Sequence, residues 1–113
     1  MANLVSHVEI NGKDADALRE FYGQVFDWNI QAMPEMSYNM VNAEPPSPTI
    51  GIGAGPGDSY VTFYVTVPDL QATLDTAERL GGKTVIPPTE VPGYVTMAMF
   101  ADPEGHFIGI IKG

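Results

Sequence analysis

The sequence repeats itself. "VEINGKDADALREFYGQVF" and "FYVTVPDLQATLDTAERLGG" follow one plan: an apolar strand, a polar break with Asp, then apolar positions at helical spacing. Asp14 and Asp69 stand 55 residues apart, and a shift of that size lays Ile10 on Val65 and Leu4 on Ser59. An internal repeat narrows the choice of fold more than any other feature, because a supersecondary unit this short does not bury its own apolar face and must share a core with its copy. A chain of 113 residues has length for one such core. The expectation is a single domain over residues 1–113, with module one at about 1–56 and module two at about 57–113.

Each copy reads as βαβββ. In the first, Val and Ile content predicts a strand over Asn3–Ile10. Asp14 is a helix N-cap, and Ala17, Leu18, Phe21, Tyr22 and Val25 fall on one helical face. Strands are predicted at Trp28–Ala32, Tyr38–Asn42 and Thr49–Gly53. "NAEPPSPT" is a loop, since its prolines have no N–H for a ladder, and "GAGPGDS" is a flexible junction. In the second copy, Tyr60–Val67 is a strand and Asp69 caps a helix carrying Leu70, Leu74, Ala77 and Leu80. Gly81–Gly82 ends that helix in a left-handed cap. Lys83–Ile86 is a strand broken by Pro87–Pro88; Tyr94–Ala101 and His106–Ile111 are strands joined by "DPEG", a type I turn.

Composition removes several function classes. The net charge is −9 with only five Lys and Arg, which repels nucleic acid and anionic lipid. None of the five lies in the interior of a predicted strand, Lys83 standing at the first residue of one and Lys112 at the chain end, so a cavity built from strands is expected to have no fixed cation for a phosphate or a multi-carboxylate ligand, and a neutral or cationic guest is expected. The absence of cysteine removes disulfides, thiolate nucleophiles and Cys-type zinc sites. No stretch approaches the roughly 18 apolar residues of a membrane helix, and "MANLVSHVEI" has no basic n-region or cleavage site. A cytoplasmic location is expected.

"SHVEINGKDADALREFYGQVFDW", "YVTFYVTVPDLQATLDTAERLGGK" and "FADPEGHFIGI" resemble the vicinal oxygen chelate superfamily, which includes glyoxalase I, bleomycin and fosfomycin resistance proteins and extradiol dioxygenases. The resemblance spans nearly the whole chain. It implies an α+β fold in which two tandem βαβββ modules form curved mixed sheets around a cup, and a homodimer. It also implies four positions where metal-using members carry ligands, in the first and last strand of each module. Here those positions hold His7, Gly51, Thr62 and Gly109. One imidazole does not hold a divalent ion, which needs three or more N, S or O ligands. No metal and no other cofactor is therefore expected.

Two candidates for chemistry remain in "LVSHVEI". Strand alternation puts His7 and Glu9 on one face, where they are candidate catalytic residues for proton transfer. Trp28, Tyr38, Met40, Thr62, Tyr64 and Met97 are the expected ligand-binding residues, a set of aromatics and methionines suited to an adaptable apolar cavity. "GIGAGPG" lacks the spacing of a dinucleotide loop, and no serine lies in a nucleophile elbow. His106 and Asp102 read as turn chemistry. The expected function is small-molecule binding in a metal-free cup, with a neutral or cationic, partly aromatic ligand. The alternative is an enzyme, a lyase, isomerase or cyclase using His7 and Glu9. A metal-dependent glyoxalase-type lyase or a dioxygenase ranks behind both.

Overall fold

The computed structural model describes residues 3–54 and 59–113. Its elements run β1 (Val5–Asn11), α1 (Ala15–Phe26), β2 (Ile30–Met33), a 3₁₀ turn (Pro34–Met36), β3 (Tyr38–Val41), β4 (Thr49–Gly53), β5 (Tyr60–Val67), α2 (Leu70–Arg79), β6 (Lys83–Val91), β7 (Val95–Ala101) and β8 (Phe107–Lys112). The fold is α+β with two successive βαβββ runs, as the repeat predicts. Contacts divide the chain into two compact units: a first unit, His7–Thr62, and a second, Phe63–Gly113 together with residues 3–6. Part of the predicted "GAGPGDS" junction, residues 55–58, lies outside the described residues.

Both helices start by the same device. Asp14 Oδ1 accepts a hydrogen bond from the Ala17 N–H at 3.0 Å, and Asp69 Oδ1 accepts from Ala72 at 3.0 Å. Each carboxylate satisfies a donor that the first helical turn leaves open. The ends differ. α1 stops at Asp27, in the left-handed region at φ 55°, a conformation Asp tolerates better than most side chains. After α2, Gly81 takes φ 103° and the Gly82 N–H returns to the Ala77 carbonyl, as the double glycine predicts.

The ladders also repeat. In the first unit the order is β2-β3-β4-β1, with β1 parallel to β4 and the other pairs antiparallel. In the second it is β6-β7-β8-β5, with β5 parallel to β8. Two expectations need correction. β6 does not end at Ile86 but continues through Pro87 and Pro88 to Val91. It is the outer strand of its unit, and its register slips between Thr84 and Ile86 and again between Ile86 and Thr89, so the missing proline donors fall where the ladder is already irregular. Trp28 does not begin β2, which starts at Ile30. Its place is the turn after Asp27, where its ring lies 5.0 Å from Phe26 and 6.2 Å from Tyr22.

The second unit carries a dry core. Val67, Leu70, Leu74, Ala98 and Ile110 are buried together, with Val65 and Phe100 against them. The first unit buries Val41 and Ile52 beside the polar Asn39. Asn39 is satisfied there: its Nδ2 donates to the Ile52 carbonyl at 3.1 Å and its Oδ1 accepts from Arg19 of α1 at 3.3 Å.

Candidate functional site

Strand register builds the site inside the first unit. Parallel pairing sets His7 beside Thr49, Glu9 beside Gly51 and Asn11 beside Gly53. Antiparallel pairing then sets Tyr38 beside Gly53 and Met40 beside Gly51. β3 and β1 are two strand spacings apart, about 10 Å, with β4 between them. Tyr38 spans that gap because β4 offers bare backbone beneath its ring. A Cβ added at Gly51 would overlap the Tyr38 hydroxyl, and one at Gly53 would lie 2.6 Å from Tyr38 Cδ1.

The Tyr38 hydroxyl ends between the two candidate acid/base groups. It donates to Glu9 Oε1 at 2.6 Å, and its oxygen lies 2.8 Å from His7 Nε2. His7 Nε2 is also 3.4 Å from Glu9 Oε1. On the other side of the ring, His7 Nδ1 is 2.6 Å from Thr49 Oγ1. Asn11 Nδ2 donates to Glu9 Oε2 at 3.1 Å. The His7 and Glu9 side chains are only 12% and 14% exposed, so only their edges are open to solvent.

Burial alone raises the pKa of Glu9. The hydrogen bonds from His7, Tyr38 and Asn11, and the nearby imidazole, outweigh it and hold the carboxyl below its ordinary value of 4.5. Glu9 is thus an anion at neutral pH. Tyr60 on β5 responds in the opposite sense: burial, then the Glu9 charge, push its phenol up to about 12. Asn11 Oδ1 is buried and has no hydrogen-bond partner among the described residues.

The structure brings together His7, Glu9 and Tyr38, with Met40 on the face of β3 that carries Tyr38. Thr62 is buried on β5, on the same alternate face as Tyr60. Tyr64 and Met97 belong to the second unit, where Tyr64 is buried over Gly109 and Met97 is half-buried, paired with Thr89 and Ile111. Trp28 has its aromatic partners on α1. Thr49, Asn11 and Tyr60 were not expected. The alternation of Gly51 and Gly53 in "TIGIG" was the available signal that a ring lies across that strand. A cavity of about 500 Å³, lined by Lys13, Asp14, Arg19, Met33, Tyr38 and Asn39 among others, adjoins the same tyrosine. Its Lys13 and Arg19 show that the helix start brings cations to a cavity wall, and the strands hold cations too, Lys83 at the start of β6 and Lys112 at the end of β8.

The metal positions can be tested on this geometry. Gly51 has no donor and the Tyr38 hydroxyl occupies the place of its side chain; in the second unit a Cβ on Gly109 would overlap the ring of Tyr64. Both ring nitrogens of His7 meet protein oxygens. No three His, Cys, Asp or Glu among the described residues come together as a metal would require. These residues do not fit a divalent ion at the family's positions. Asp102 accepts from the backbone N–H groups of Glu104 and His106, and His106 Nδ1 lies 3.0 Å from its carboxylate, on the exposed β7–β8 turn. The backbone bond from His106 is the main force holding the Asp102 carboxyl below its ordinary value.

The profile of the Glyoxalase/Bleomycin resistance protein/Dioxygenase superfamily matches residues 4–110. Solved structures share the fold. A hypothetical protein from Bacillus halodurans aligns over 100% of this chain and 96% of its own at TM-score 0.68 and 10% identity. A methylmalonyl-CoA epimerase from Streptomyces coelicolor, in complex with 2-nitronate-propionyl-CoA, aligns over 100% and 99% at TM-score 0.67 and 13% identity. The Mycobacterium tuberculosis methylmalonyl-CoA epimerase aligns over 99% and 91% at TM-score 0.63 and 17% identity. Among curated proteins, none matches the sequence significantly.

Proposed function

The chain belongs to the glyoxalase/bleomycin resistance protein/dioxygenase superfamily, and we propose that it binds a small organic molecule beside His7 and moves a proton on it without a metal. One observation carries this reading: an imidazole held between the hydroxyls of Thr49 and Tyr38, with an ionised carboxylate behind the second hydroxyl. The carboxylate offsets the imidazolium that forms when His7 takes a proton, and the hydroxyls fix the ring in place, which are the two things a histidine base needs. The reaction class is proton abstraction and return at an acidic carbon, as in an isomerase, an epimerase or a lyase. Methylmalonyl-CoA epimerases are among the proteins that share the fold. A neutral or cationic ligand suits the negative charge, the Glu9 anion and the open acceptor of Asn11.

A second reading is sequestration of the ligand without turnover. It is favoured by the engagement of both Glu9 oxygens, which already accept from Tyr38 and Asn11 and hold the carboxylate within the protein's own network. The protein is further proposed to act as a homodimer in the cytoplasm, with the exposed Phe21, Val25 and Phe26 of α1 as apolar surface available to a second copy.

The deciding experiment is solvent-deuterium uptake into a panel of carbon acids, with ligand binding followed in parallel by NMR. Wild-type protein should exchange at least one of them after exhaustive treatment with chelator. His7→Ala should bind that compound and lose roughly 100-fold or more of the exchange rate. Binding without exchange anywhere in the panel establishes sequestration instead, and an activity that returns only with a divalent ion refutes the metal-free reading.

A further inference from the structure

We infer that Tyr38 and Thr49 are positioning residues that hold neutral His7 as one tautomer, with the hydrogen on Nε2 and the basic lone pair on Nδ1. Only the consequence, that Nδ1 is the atom which takes a substrate proton, rests on the proton-transfer reading above. The tautomer follows from hydrogen-bond directions.

Tyr38 Oη stands between Glu9 Oε1 at 2.6 Å and His7 Nε2 at 2.8 Å. A phenol has one hydrogen to give. An ionised carboxylate has none, so the short contact with Glu9 requires the phenolic hydrogen to lie on that line. The phenolic oxygen then faces His7 with a lone pair, and the second contact requires a hydrogen on Nε2. Glu9 Oε1, 3.4 Å from the same nitrogen, attracts that N–H as well. With Nε2 protonated, a neutral ring carries its lone pair on Nδ1, and the Thr49 hydroxyl at 2.6 Å donates into it. The four groups read in one direction, Thr49 to His7 to Tyr38 to Glu9. The opposite direction sets two lone pairs against each other between Tyr38 and Glu9.

The arrangement decides which end of the chain does chemistry. Glu9 and Tyr38 hold the inner end, whereas Thr49 is exposed at the outer end. A ligand reaches Nδ1 by taking the place of the Thr49 hydroxyl there. In the proton step the substrate C–H bond breaks, its electron pair stays on carbon, and an N–H bond forms at Nδ1. Nε2–H stays on Tyr38 throughout, and the return step delivers the hydrogen from Nδ1 back to carbon.

The test is two-dimensional ¹⁵N–¹H NMR of histidine-labelled full-length protein, at a pH where His7 is neutral. The wild type should show the Nε2–H tautomer of His7 in an excess of roughly tenfold over Nδ1–H, the ratio one hydrogen bond of ordinary net strength supplies. Tyr38→Phe keeps the ring and removes the hydroxyl, and the excess should fall severalfold. Gly51→Ala keeps the hydroxyl but displaces it, and should lower the excess in the same way, so a folding defect in either variant leaves the other to decide. A dominant Nδ1–H tautomer in the wild type, or an excess untouched in both variants, overturns the inference. Failure of the proton-transfer reading looks different: His7→Ala retains turnover while the tautomer stands.

Discussion

The two units carry the same βαβββ plan and place their weight differently. Both cap their helix with an aspartate, both order their strands alike, and both lay a tyrosine ring over a glycine, Tyr38 over Gly51 and Tyr64 over Gly109. The second unit then buries Leu70 and Leu74 of its helix in an apolar core, whereas no residue of α1 is buried and Phe21, Val25 and Phe26 stay more than half exposed. The first unit holds its tyrosine hydroxyl in a polar network with a histidine and an ionised glutamate. One copy of the repeat thus supplies apolar burial and the other a part-buried polar network. Buried polar groups demand partners, and fitting those partners in leaves less room for apolar burial.

The largest expected break of this comparison is in the helices. Leu74→Ala should cost about 2–5 kcal/mol in chemical denaturation, because Leu74 is 1% exposed and its loss opens a cavity. Phe21→Ala, at the exposed face of α1 proposed to meet a second copy, should stay within about 0.5 kcal/mol of wild type when both are denatured as dilute monomers. Equal effects would mean the two helices are packed alike.

Next come the glycines. Gly109→Ala should destabilise by about 1–3 kcal/mol, since the added methyl meets ring carbons of a buried tyrosine. Gly51→Ala meets the far end of the Tyr38 side chain and should destabilise less, with its main effect on the His7–Tyr38 hydrogen bond. Denaturation midpoints of the two variants, read side by side, rank them.

The caps sharpen the comparison from the other direction. Asp14→Ala and Asp69→Ala remove bonds of the same 3.0 Å length and should each cost about 1 kcal/mol. A large inequality would show that the repeat is not preserved at this level.

The smallest effect is a pH dependence that resides in the first unit. The folded pKa of Glu9 lies below its unfolded value of 4.5, so its contribution to stability is full above pH 4.5 and disappears as pH falls through the folded value. Denaturation of wild type and Glu9→Gln between pH 7 and pH 3 should therefore converge at the acid end. Curves that stay parallel would remove Glu9 from the acid sensitivity of the fold.

Much of the fold is legible in the sequence because it rests on short-range rules. Asp14 and Asp69 mark their helices by a bond to a backbone three residues on, and "DPEG" marks its turn by the hydrogen bond from Gly105 to the Asp102 carbonyl. The shared face of His7 and Glu9 follows from strand alternation alone. The continuation of β6 through two prolines was hidden, since it depends on the strand's lying at the outside of its unit. Tyr38 was legible as an aromatic but not as the bridge between His7 and Glu9. Gly51 read as a position that had lost a ligand, when it is the floor beneath that bridge.

By itself, then, the sequence determined the repeat, its elements and the pair of acid/base groups on one strand face. The tertiary structure alone decided that Tyr38 and Thr49, 31 and 42 residues from His7, become its partners. Those contacts depend on the register of β1, β4 and β3, which is set by long-range pairing; a one-residue slip in any of the three would turn the side chains to the opposite face.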